Sequence, residues 1–260
     1  MRGYGAALAA EALKARRSRM PLLTLGVATA TGGVAGLFMF ILADPARARQ
    51  MGLLNQKAQL SGFTADWPGL LSFLSQIVAV GDLMLFAFIA AWVFGREFAD
   101  GTARYLLALP VPRATIVWAK FTVVAVWAAV LTVWLAAVVL VLGWALDLPA
   151  GTASVITSGL SGAGAAAGLM LLVTAPVALV ASAGRGYLPP LAAAVGAVIV
   201  GQISAALGWA AVVPWSIPAV AAGLPPGTRL GVGGLAIALC TGLAGVFGTV
   251  GWWRSGRAGA

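Results

Sequence analysis

Six stretches of this chain, at residues 20–43, 69–94, 116–146, 155–183, 188–207 and 230–253, stay apolar almost without interruption. A helix crosses the hydrocarbon core of a bilayer with about 20 such residues. Hydrophobic residues make up 61% of the 260 and charged ones only 9%, against about 25% charged in soluble domains. A water-soluble fold of this size has no way to hide that much apolar surface. The sequence therefore predicts an all-α integral membrane protein: one transmembrane domain over residues 20–260, with six spans. The third run is longer than a bilayer requires, which predicts tilt or extension beyond the membrane.

An even number of spans puts both termini on one side. With the termini inside, twelve of the sixteen basic residues fall on the inner side, and only Arg47, Arg49, Lys57 and Arg229 fall outside. That asymmetry predicts cytoplasmic termini. It also explains the net charge of +9 as a topology signal aided by anionic lipid, with no call for nucleic acid as a partner. Residues 1–19 are too polar for the apolar core of a cleaved signal peptide. They read as a basic amphipathic helix on the inner surface, with Leu8, Glu11, Leu13 and Ala15 set among Lys14, Arg16, Arg17 and Arg19. Between the fifth and sixth spans, 208–229 is apolar but carries Pro214 and Pro218, each removing a helix hydrogen bond. It is expected to be re-entrant or interfacial on the outer side, with Trp209 and Trp215 at headgroup level.

Several chemistries are excluded. The chain has no histidine and a single cysteine, Cys240. A Ser–His dyad cannot form around Gly159-Leu-Ser-Gly162, zinc-protease motifs are absent, and the scattered carboxylates propose no metal site. No P-loop motif occurs, so the chain cannot itself be a P-loop ATPase. No catalytic residue is assigned, and no enzyme activity is expected.

Between the second and third spans, charge returns abruptly. Arg96, Glu97, Asp100, Arg104 and Arg113 stand within 18 residues. Asp100-Gly101-Thr102 reads as a break, with Thr102 or Asp100 able to cap a short helix to about residue 109, and Pro110 and Pro112 end it. Phe98, Tyr105, Leu106 and Leu109 supply apolar contacts beside the charges. Such a knob suits a docking surface, apolar for affinity and charged for register; a solvated surface loop accounts for it equally well. Within the spans, Asp82 costs on the order of 2.5–3.5 kcal/mol if unpaired. It reads as a cavity residue for a cationic substrate or as a structural partner of Gln76, Gln202 or a hydroxyl. Gln202 carries the same two readings. Trp127 and Trp134, seven apart, share a face of the third span, for packing or lipid contact. Gly164-Ala-Ala-Ala-Gly168 lets two helices approach closely, within the chain or between two copies.

The run from Gly95 to Lys120 resembles the loop after the second span of type-2 ABC transporter permeases. Arg96-Glu97, Gly101-Thr102, Leu106-x-x-x-Pro110, Arg113 and Lys120 follow that family's order. The basic segment before the first span, Gly184-Arg-Gly-Tyr-Leu188 and the Pro-Trp-x-x-Pro at 214–218 agree, with a flavour of the bacitracin and lantibiotic-immunity permeases. The resemblance implies the membrane subunit of an exporter in the bacterial inner membrane, a homodimer of permeases served by two P-loop ABC ATPase chains, with ATP and Mg in the partner and no cofactor on this chain. It implies that Arg96, Glu97, Asp100, Thr102, Arg104 and Arg113 belong to an ATPase-coupling region, with Arg185 at a second contact. The expected substrate is hydrophobic or amphipathic: a drug, an antimicrobial peptide or a lipid. Two other functions compete, a non-transporting scaffold or sensor that docks an ATPase, and an ion-coupled carrier using Asp82 as its proton site. The lack of inverted-repeat symmetry argues against the carrier.

Overall fold

A computed structural model describes residues 2–52, 63–108 and 110–255. Lys57, Leu109 and Arg257, which figure in the sequence reading, lie outside the described residues. The protein is all-helical among them, with α1 (Arg2–Arg16), α2 (Met20–Ala43), α3 (Pro45–Gln50), α4 (Trp67–Ala99), α5 (Ala103–Leu107), α6 (Arg113–Ala145), α7 (Ala153–Thr174), α8 (Pro176–Ala183), α9 (Leu188–Ala206), a 3-10 turn at Pro214–Ser216, α10 (Ile217–Ala221) and α11 (Val232–Arg254). Six of these helical stretches are long and apolar enough to span a membrane, α7 and α8 counting as one.

The central helix is α4, packed against α6, α7, α8 and α9. Its start is set by Asp66, whose carboxylate accepts from the Gly69 amide at 2.7 Å, and by Pro68 in the first turn, where a missing N–H costs nothing. At its far end it outruns the predicted span. No breaker occurs before Asp100-Gly101, so the helix continues through Arg96 and Glu97 to Ala99, and Gly101 then turns the chain with φ +67°. At 33 residues each, α4 and α6 are about 50 Å long and reach past a hydrocarbon core of about 30 Å.

Two of the four tryptophans on α6 fasten it to α2. Trp127 Nε1 donates to Thr24 Oγ1 at 3.1 Å and Trp134 Nε1 donates to Thr29 Oγ1 at 2.9 Å. In apolar surroundings each pair leaves no stray donor to desolvate. Pro176 interrupts the fourth span, dividing α7 from α8. Glycines of α11 take advantage of the break: Gly245 lies against Ala175 and Pro176 so closely that a Cβ would collide with backbone, and Gly242 sits on Leu172.

Gly164 and Gly168 behave differently. A Cβ at either would meet nothing within 4 Å, and both line an open crevice of about 290 Å³ with Phe86, Ala125 and Thr132. This small-residue pair does not bring two helices of the described chain together. Between α9 and α11, the segment after Gly208 folds into the 3-10 turn and α10, with Ile217 wholly buried. Ser216 Oγ donates to the Ala210 carbonyl at 2.8 Å and accepts from Ser204 Oγ at 3.1 Å, so this non-helical backbone is partly satisfied from within. Trp209 is exposed and Trp215 half-buried.

Candidate functional site

One end of the bundle gathers α1, the last turns of α4, the loop through α5, the first turns of α6 and the end of α11. The charges there are arranged in two tiers. The inner tier is a closed ionic cluster. Lys120, fully buried, spends all three donors: on Glu97 Oε1 at 2.8 Å, Glu11 Oε2 at 3.0 Å and the Val93 carbonyl at 2.8 Å. Lys14 Nζ donates to Glu11 Oε1 at 2.6 Å and to Glu97 Oε1 at 2.9 Å. Two carboxylates and two ammonium groups thus balance, with α1, α4 and α6 each contributing. Burial by itself lowers the pKa of the Lys14 ammonium; Glu97 and Glu11 outweigh it and hold the pKa above the ordinary lysine value. Glu97 Oε2 is buried without a partner among the described residues.

The outer tier is the loop. Thr102 does not cap α5 through its side chain; its amide donates back to the Glu97 carbonyl at 2.8 Å, closing the turn that follows α4. Arg96 Nε donates to Asp100 Oδ2 at 3.3 Å and its guanidinium lies 5.0 Å over the Trp92 ring. Arg113 Nη1 donates to the Trp253 carbonyl at 3.3 Å, joining the start of α6 to the end of α11. Phe98 fills the gap between them, edge-on to both Trp252 and Trp253. On α5 itself no residue is buried. Arg104 lies over the Tyr105 ring, donates to its hydroxyl at 3.0 Å, and Tyr105 is 63% exposed.

Arg185 belongs to the short turn between α8 and α9, in the left-handed region at φ +53°. That turn is pressed against the end of α4. A Cβ on Gly95 would stand 2.7 Å from the Gly186 carbonyl oxygen, a separation that only glycine permits. Tyr187 follows, and its phenol pKa is raised by burial and by the Asp100 and Glu97 carboxylates, against an opposing pull from Arg96. The two predicted contact regions are therefore adjacent in space. Of the residues singled out in the loop, Asp100, Thr102, Arg104 and Arg185 are exposed, Arg96 and Arg113 are half-buried, and Glu97 is interior.

Asp82 and Gln202 are not brought together in the same way. Asp82 is buried on α4 with no hydrogen-bond partner among the described residues; Gln76 donates instead to Ser72 Oγ at 3.3 Å. Gln202 is exposed and lines a cavity of about 270 Å³ with Leu83, Met170, Trp215 and Pro225, a lining that does not include Asp82. Among the described residues no three metal-ligating side chains gather.

Sequence reasoning missed the inner tier. In the sequence, Lys120 is one element of a motif and Glu11 one residue of an imperfect amphipathic pattern. A usable signal was there: Glu11 is the only acid in the first 43 residues, and Lys120 stands two turns inside an apolar helix, where an unpaired charge would not persist.

The sequence model for the ABC-2 family transporter proteins matches residues 7–201, which takes in most of α1, both loop regions, the first four spans and most of the fifth. No curated protein and no solved structure matches the chain. The family match covers most of the length and contains the whole two-tier site apart from its contacts to α11, and the chain accordingly belongs to the ABC-2 transporter family, as a multi-pass type-2 ABC permease.

Proposed function

We propose that this chain is the membrane half of an ATP-driven exporter and that α5 is where its ATPase docks. The observation that carries the reading is the contrast between the tiers: a helix with no buried residue hangs from two spans whose ends are clamped by a fully buried lysine. A partner that grips Tyr105 and Arg104 pushes on a rigid mount. Displacement of α5 would pass to α4 through Thr102 and Glu97, and to α6 through Arg113 and Lys120. The adjoining Arg185 turn would feel the same partner. Such coupling needs two conformations whose balance nucleotide state shifts, and ATP and Mg would reside wholly in the P-loop chain.

On this reading the termini are cytoplasmic, the protein sits in the bacterial inner membrane, and two permease chains assemble with two ATPase chains. The open crevice at Gly164 and Gly168 leaves room for close approach by a second copy. Apolar walls around Gln202 favour a hydrophobic or amphipathic cargo, and the bacitracin and lantibiotic-immunity likeness favours antimicrobial peptides within that class. Tyr105→Cys in a Cys240→Ser background, treated with a short bifunctional crosslinker in membranes that also hold the ATPase, should yield a permease–ATPase adduct. A Cys at exposed Trp209, at the other end, should yield none. Adducts from both positions, or from neither, would remove α5 as the docking element.

A further inference from the structure

Between α1, the first turns of α2 and the middle of α6 lies a groove of about 420 Å³, within the size of ordinary ligand sites, about 300–1,000 Å³. Leu8, Ala15, Leu25, Val126, Trp127 and Leu131 form its walls, and Arg16 stands at its rim. The groove has nearly no polar lining, so water would gain nothing there and hydrocarbon is the natural filling. Its floor is already closed: the Trp127 indole N–H is taken by Thr24, and Thr122 Oγ1 lies 2.7 Å from the Tyr4 hydroxyl.

The charge at the rim is not balanced from within. Lys14 is committed to Glu11 and Glu97, but none of the ion pairs among the described residues takes up Arg16, Arg17 or Arg19. Three guanidinium groups with no carboxylate stand where α1 turns into the first span; one of them, Arg16, lines the apolar slot, whereas Arg17 lines a separate pocket with Lys14 and Arg96. A ligand complementary to both has a long hydrocarbon chain and an anionic head. Membranes supply that chemistry as anionic phospholipid.

We propose that this groove is a binding site for an anionic phospholipid, one acyl chain lying against Trp127 and Leu131 and the phosphate bonded by Arg16. The lipid would brace α1 beside the ionic cluster, so that the N-terminal helix is held both by Lys120 and by lipid. The inference depends on the chain spanning a membrane and not on its ATPase or cargo.

The full-length chain, stripped of lipid in detergent, is titrated by native mass spectrometry with phosphatidylglycerol, with phosphatidylcholine of the same acyl chains, and with glycerophosphoglycerol, which is the headgroup alone. One phosphatidylglycerol should bind per chain more tightly than any phosphatidylcholine, and Arg16→Gln should weaken it about fivefold, the worth of one basic residue at an anionic surface. Val126→Trp and Ala12→Phe, which fill the groove from opposite walls, should each abolish the tight site, whereas Arg229→Gln at the other end of the bundle should leave it intact. The headgroup alone should not compete. Equal affinity for the two phospholipids, indifference to Arg16→Gln, tight binding that survives both groove-filling changes, or displacement by glycerophosphoglycerol would each overturn the assignment.

Discussion

Lys120 Nζ lies 2.8 Å from Glu97 Oε1 with no solvent exposure of its own, so the two residues that bracket the α4–α6 loop are pinned to each other. Glu97 stands in the last turn of α4 and Lys120 two turns into α6. Everything between them is therefore an excursion from a fixed base, and the exposed helix α5 is its tip. Burying the Lys120 ammonium with two carboxylates is costly, and Lys14, still part-exposed, completes the charge balance. The cluster fixes how α1, α4 and α6 meet.

Removing one member should be far worse than removing a pair. Lys120→Met leaves Glu11 and Glu97 with Lys14 as their only cation and should destabilise the protein by about 3–5 kcal/mol. Combining it with Glu97→Gln should restore part of that loss. Denaturation in detergent micelles, run as a double-mutant cycle, measures the coupling; two additive losses would mean the ion pair is not what holds these helices.

The Lys14 contribution should depend on pH in a defined direction. Its pKa is raised above 10.5 in the folded protein, so its stabilising charge is fully present below the unfolded value and is lost as pH climbs through the folded one. The melting temperature of the native chain should exceed that of Lys14→Met by a constant margin from pH 7 to about pH 10, and the margin should shrink above it. A margin that changes below pH 9 would point to another group.

At the contact between the Arg185 turn and α4, two glycines separated by one carbonyl should respond oppositely. Gly95→Ala drives a Cβ into the Gly186 carbonyl and should cost roughly 1–3 kcal/mol by overpacking, displacing the turn that carries Arg185. Gly186→Ala faces open space and should be nearly silent. Thermal unfolding of the two variants side by side decides the matter.

The spans were legible in the sequence because length and apolarity are sufficient to define a helix in lipid. What extended beyond them was not. The limit at Phe94 followed hydropathy, but a helix ends at a breaker and not at a charge, and the first breaker was Gly101. The loop motif singles out Glu97, while its burial depends on Lys120, 23 residues on, and on Lys14 and Glu11 in a helix that sequence could place only at a surface. Pairings between separate helices have no periodic signature in one chain. Trp127 and Trp134 illustrate the same limit: their shared face was readable, their partners Thr24 and Thr29 were not.

If α5 couples this permease to an ATPase, hydrolysis measured in nanodiscs should depend on it. The ABC ATPase copurified with this chain is assayed alone, with the native chain, and with Arg104→Ala, an exposed change that leaves the ionic cluster untouched. The native chain should stimulate hydrolysis several-fold, and Arg104→Ala should abolish most of the stimulation while the complex stays assembled. Undiminished stimulation with Arg104→Ala, or no ATPase bound to the native chain at all, would contradict the coupling role of α5.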